Sequence, residues 1–452
     1  MVPSTKTQTI KRETFSSFFG QLMTMIGVAV GLGAVWRFPY MVGRFGGAAF
    51  VLFYLLAILC IGIPALMCEW LLGRHTQRGT LGAFHRGGLP GGKLVGTFLF
   101  GIVIFATGYY SNALGWVGFF ALGEFIKSLG IPFNAASILP PQEGFNLSSF
   151  CLQLLMTFLV IFTCGYVVIK GLKRGIEKIS RWIVPLLFII LIILIFRSVT
   201  LENAREGIHW FVGSFDLKEL TPSVMAAALG MAFFSLSLGG TFMVIYGSYL
   251  TRQANIPKNA FLTGLGASLA GILAGFVIFP AVFAFGLEPS SGPDLIFATL
   301  SQTFSRMPLG WLFGFLFFTG LFGAAFLSDV AAFEVLVGGI TDNARVGRKS
   351  AVYAICTVVF LLAIPPMINF RIFIPWDLAF GSGMQALGSL LAVLTAAWFI
   401  RRSKALEELS QGMVRPFPVL HYWWMRIAIP IAILFVGINW ILESLFRIRI
   451  FG

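Results

Sequence analysis

The sequence predicts an all-α integral membrane protein of eleven transmembrane helices, and three observations carry that expectation. Of its 452 residues, 58% are apolar and only 11% charged, where a soluble globular domain carries about 25% charged residues. The apolar residues gather into runs of the roughly 20 residues that a helix needs to cross the hydrocarbon layer. Lysine and arginine, 32 against 18 acidic residues, collect in alternate breaks between those runs.

Along the chain, residues 1–12 are polar and basic, with no short apolar core or small-residue cleavage site. They read as a cytoplasmic tail, not a removable signal peptide. The apolar runs follow at 18–43, 46–73, 94–126, 149–169, 180–198, 223–250, 260–287, 309–338, 349–368, 377–400 and 424–446. With the N-terminus inside, the inner breaks and adjoining span ends hold 22 Lys and Arg, the outer ones 9, and Arg37 alone lies well inside a span. This asymmetry places the N-terminus in the cytoplasm and, after eleven spans, the C-terminus outside, in an inner (plasma) membrane. The surplus of 14 positive charges is then largely a topology signal. No basic run is interleaved with exposed aromatics, which speaks against nucleic acid.

The minor residue types exclude other chemistries. Cys60, Cys68, Cys151, Cys164 and Cys356 are odd in number, lack CxxC spacing and lie in apolar runs, so they read as buried hydrophobes. His75, His85, His209 and His421 are scattered over loops and span ends. Without metal spacing or a nucleophile–base pair, neither an enzyme nor a metal site is expected.

Two spans carry glycine clusters near their middle: Gly27 to Gly33 in the first, and Gly239-Gly240 in the sixth, which reads Ser235-Leu-Ser237-Leu-Gly239-Gly240-Thr241. Such clusters free backbone groups, which a bilayer tolerates only where they line a cavity or bind something; close packing through small residues is the alternative. The two clusters are five spans apart. Two five-helix halves of opposite topology (18–198 and 223–400, with 424–446 as an extra helix) place both breaks at corresponding positions, the pattern of an inverted-repeat transporter.

The segments Gly31-Leu-Gly33 with Trp36-Arg37-Phe38-Pro39, Gly46-Gly47-Ala48-Ala49-Phe50, Glu69-Trp70 with Gly73-Arg74, Gly175-Ile-Glu177-Lys178 and Ser235-Leu-Ser237-Leu-Gly239 resemble the neurotransmitter:sodium symporter family, most closely its bacterial amino-acid transporters. The resemblance implies alternating access around an amino-acid site. Amides near Ala29, Gly31, Leu32 and Gly33 would hold the substrate carboxylate with help from Tyr110. Ala106, Phe234, Ser235, Ser237, Gly240, Gly323, Ala324 and Leu327 would line a pocket for a large hydrophobic or aromatic side chain. It also implies an outer gate of Arg37 with Phe234 and an acid on span ten, aligned at Phe380 with Asp377 one turn earlier. The inner latch would comprise Arg12, Phe15 and Tyr249, with its span-eight acid replaced by Val337.

Sodium ligands are mostly missing on this alignment. The second ion site would take carbonyls of Gly27, Val30 and Thr319 and two hydroxyls at positions held by Phe322 and Gly323. The first would take Ala34, Ser235 and a span-seven position at Gly266 or Ala267. A hard cation needs several oxygens, so the expectation is transport that is sodium-independent or proton-linked. Sodium symport through degenerate sites and a non-transporting amino-acid sensor are the alternatives. An ionisable group within a span is a functional candidate. Asp329, seven residues after Phe322 and about 10 Å along the helix, is the candidate proton carrier, against the reading that it is a structural acid. Glu69 reads as a solvated or locally paired carboxylate at the end of span two.

Overall fold

The computed structural model describes residues 12–289, 300–344 and 346–444. Lys6 and Lys11 of the opening tail, Arg345 of an inner break and the last two residues of the eleventh run lie outside the described residues. Among those described, every regular element is a helix.

Among the described residues, nine helices are long and apolar enough to span a membrane: Gly47–Thr76, Gly92–Ser128, Leu147–Ile169, Leu172–Val199, Ile256–Ala284, Gly310–Asn343, Arg348–Met367, Phe370–Phe399 and Val419–Asn439. They correspond to spans two to five and seven to eleven. Span one is a bent pair, Phe18–Ala29 and Gly33–Phe45, with 53° between its halves. Span six is two short helices, Pro222–Ser235 and Phe242–Gly247. The apolar runs therefore located the spans closely, and both expected breaks are present.

Caps explain the starts. Ser17, Asn146, Thr221, Asn255 and Asn369 each accept a hydrogen bond from a backbone amide in the first turn of the helix that follows, satisfying a donor that the helix cannot. Span one packs against spans five and seven, the halves of span six against the halves of span two, and span eight along span three. The periphery is apolar and exposed. Leu155, Phe158 and Phe162 on span four, and Leu186, Ile189 and Ile193 on span five, all point outward, the inverse of a soluble surface and the face that a bilayer covers. Short helices at Thr80–Arg86 and Arg402–Ser410 were invisible to an apolar-run count because they lie beyond the span ends.

Candidate substrate site at the helix breaks

In span one the α-helix ends at Ala29. The Gly31 amide turns back on the Ala29 carbonyl at 3.0 Å, and the Leu32 amide donates to the Tyr110 hydroxyl at 3.2 Å. The Val28 carbonyl accepts from Ser237 at 2.8 Å and from Ser328 at 3.1 Å. Three other spans thus supply the partners that the broken helix lost. Gly31 is required here, since a Cβ on it would stand 2.5 Å from Ser328 Oγ and 3.0 Å from Tyr110 Oη.

In span six the break runs through left-handed backbone at Ser237, Gly239 and Thr241 (φ 51°, 88° and 58°), unusual for a serine and more so for a β-branched threonine. What holds it is Glu69. This carboxylate is fully buried and accepts from the Gly239 amide at 2.8 Å, while the Thr241 and Thr80 hydroxyls meet at 2.6 Å. The expectation of a solvated or merely paired Glu69 is corrected: it crosses from span two to brace the break.

Between the breaks lies a cavity of about 70 Å³, well under the roughly 300–1,000 Å³ of most ligand sites, so this state is contracted. Ala29, Gly31, Leu32, Gly33, Ala106, Tyr110, Phe234 and Ser237 line it as the sequence implied, joined by Thr107, Tyr109, Phe242, Ser328 and Ala332. Gly240 lies behind Phe242, whose ring would stand 2.0 Å from a Cβ placed there. Phe242 therefore occupies the space expected of position 240. Ser235 faces away from the cavity, bonded to the Tyr54 hydroxyl at 3.0 Å and the Met231 carbonyl at 2.8 Å.

Span eight is where the sequence alignment fails, by five residues. Phe322 stacks on Phe326 with centroids 6.0 Å apart and faces Gly118 of span three. Gly323 faces Ile183, and Thr319 lies nine residues, about 13 Å along the helix axis, from Ser328. The residues that reach span one are Leu327, which packs on Gly27, and Ser328, which bonds Val28. The Phe322 ring therefore lies away from the first-span break. A five-residue shift puts Ala324, Leu327 and Ser328 in the places that the sequence reading gave to Thr319, Phe322 and Gly323, and of Leu327 and Ser328 only the second carries a hydroxyl. Ala332, one turn past Ser328, faces the cavity in place of Gly323 and Ala324.

The same shift repairs the inner latch. Arg12 donates to both carboxylate oxygens of Asp342 at 2.7 and 2.6 Å and to Ser248 at 2.7 Å. Its guanidinium lies 4.8 Å over the Tyr249 ring, and Phe15 meets that ring edge-on. The acidic partner is Asp342, five residues beyond Val337. Burial works against the charge on Arg12, but Tyr249 and Asp342 outweigh it and raise its pKa. The latch cation is thus held protonated.

At the outer gate Arg37 lies 4.4 Å over the Phe234 ring. Asp377 accepts a hydrogen bond from Tyr109 and senses the Arg37 charge. Phe380 instead stacks on Phe105 at 4.9 Å, so of these two positions Asp377 is the one that offers a carboxylate near Arg37. Asp329 is buried, accepts from Ser111 at 2.8 Å and from the Cys164 thiol at 3.6 Å, and leaves Oδ1 without a hydrogen bond. It faces spans three and four, not the cavity. Among the described residues no cluster of three or more His, Cys, Asp or Glu could hold a metal ion.

A helical bundle with two broken spans, a central cavity and closures on both sides defines a membrane transporter. The profile described as the Sodium:neurotransmitter symporter family matches residues 12–139 and 141–446, and the chain belongs to that family. It is 31% identical to an uncharacterized sodium-dependent transporter of Haemophilus influenzae, over 95% of this chain and 98% of that one. It is likewise 31% identical to the uncharacterized sodium-dependent transporter YhdH of Bacillus subtilis, over 94% and 97%. Its fold superposes on the crystal structure of MhsT in complex with L-phenylalanine with a TM-score of 0.82, at 33% identity, covering 94% of this chain and 99% of MhsT.

Proposed function

We propose that the protein transports an amino acid with a large hydrophobic or aromatic side chain by alternating access, using the cavity between the two breaks. The observation that carries this reading is the pairing of an amide-lined break at Gly31, Leu32 and Gly33 with the Tyr110 hydroxyl on one side and the Phe234 and Phe242 rings on the other. A carboxylate would displace the bonds that the Gly31 and Leu32 amides now make to the Ala29 carbonyl and the Tyr110 hydroxyl, since half-helix N-termini attract anions, and Tyr110 would donate to it. The rings would take the apolar side chain, as the phenylalanine-bound relative MhsT suggests. Two repeats, 18–198 and 223–400, would rock about this site, with the N-terminus in the cytoplasm and the C-terminus outside.

In this reading transport does not require sodium. Ala34, Gly266 or Ala267, and Leu327 offer no side-chain oxygen, and Ser235 is already bonded twice. Sodium-coupled symport is the second reading, favoured by the Ser328 hydroxyl at the break and by the sodium-dependent relatives.

Equilibrium binding of radiolabelled L-phenylalanine to the purified protein tests the site. Large apolar amino acids should compete, and Tyr110→Phe should weaken binding by about tenfold, as expected for a hydrogen bond to a charged group. Failure of every amino acid to bind would contradict the reading.

A further inference from the structure

The segment joining spans four and five carries Lys170, Lys173, Arg174, Lys178 and Arg181. Its acids are already engaged. Glu177 is buried and ion-paired to Arg181, and it also accepts from the Ser16 amide at 2.9 Å and the Ser16 hydroxyl at 2.7 Å. Glu13 accepts from the Leu172 amide at 2.8 Å. Lys170, Lys173, Arg174 and Lys178 are exposed and form no salt bridge among the described residues. They surround an open cleft of about 920 Å³ walled on one side by Trp182, which is 74% exposed.

A bare topology signal needs cations but no cleft and no ordered apolar approach. Here both exist. Below Trp182 on span five the exposed residues Leu186, Ile189, Ile193 and Phe196 recur at helical spacing. Below Tyr166 on span four, whose ring carries the Lys170 ammonium at 3.8 Å, Phe162, Phe158 and Leu155 do the same. Each stripe is the one-faced pattern of a helix against an apolar phase, and each ends in an aromatic residue at the level where amphipathic rings anchor to a membrane interface. Cations therefore stand directly over two acyl-chain tracks, the arrangement that suits a negatively charged headgroup with its chains attached.

From this geometry we infer that the cleft binds the headgroup of an anionic phospholipid, its phosphate between Lys170, Lys173, Arg174 and Lys178 and its chains along spans four and five. The inference does not depend on the transport reading. Because Glu13, Ser16 and Ser17 tie the latch segment to the same loop, an occupied cleft would brace the inner closure.

The test measures thermal stabilisation of the detergent-purified protein by phosphatidylglycerol, phosphatidylcholine and inorganic phosphate. Phosphatidylglycerol alone should stabilise, and neutralising the four cations (Lys170→Gln, Lys173→Gln, Arg174→Gln, Lys178→Gln) should raise the lipid concentration required by about tenfold or more. A control variant with the same charge change elsewhere, at Arg401, Arg402, Lys404 and Arg415, should respond like the parent. Equal losses in both variants would reduce the effect to bulk attraction and overturn the site, and so would equal stabilisation by phosphate ions. Quenching by brominated phosphatidylglycerol gives a second readout in a protein with all its charges. It should fall in Trp182→Phe, and an unchanged quenching fraction would count against the site.

Discussion

Tyr110 and Ser328 meet the broken first span from two sides, one at the Leu32 amide and the other at the Val28 carbonyl. Each does work that a regular helix does for itself, so each is sensitive to loss of its hydroxyl. Ser328→Ala leaves one partner for the Val28 carbonyl and should weaken amino-acid binding several-fold. Phe322→Ala, on the opposite face, should leave binding within twofold and at most lower stability through the lost ring contact. The reverse ranking, read by equilibrium binding, would restore the alignment that the geometry displaces. Asp329 presents a different question. If it carries a proton, Asp329→Asn abolishes the pH dependence of uptake, and a profile identical to the parent's marks it as a structural partner of Ser111 and Cys164.

The breaks are elements in their own right, each with its own support. Glu69 fixes the second through the Gly239 amide, and a hydrogen bond of this kind contributes about 0.5–1.5 kcal/mol. Glu69→Gln should therefore lower the melting temperature by a few degrees and loosen substrate binding, since the break would relax toward unstrained backbone. Beyond the span ends, Arg74 donates to Glu408 at 2.8 Å and ties the Arg402–Ser410 helix to span two. Burial pushes the Glu408 carboxyl up, but the nearby His75 and the charge of Arg74 outweigh it and leave its pKa below the ordinary value. A lowered folded pKa means that the tie is present at neutral pH and is lost as pH falls through that lowered value. Melting curves should show this acid limb in the parent and a flatter one in Glu408→Gln.

At the scale of the molecule, the spans were legible because hydrocarbon thickness dictates their length, and the first break because the glycines between Gly27 and Gly33 weaken a helix and free backbone groups. Span eight was not legible in register. Its run of Phe, Gly, Ala and Leu reads alike at several offsets, and the contact that fixes it, Arg12 to Asp342, joins residues 330 positions apart. Phe242 was missed because a glycine two residues earlier lets its ring turn into the cavity. Contacts on both sides of the contracted cavity, Arg12 with Asp342 and Arg37 with Phe234, are formed in the same structure. The most direct test is counterflow of L-phenylalanine in proteoliposomes of the reconstituted protein, with all sodium replaced by potassium. The account predicts that counterflow persists in potassium and fails in Tyr110→Phe; an absolute requirement for sodium would contradict it.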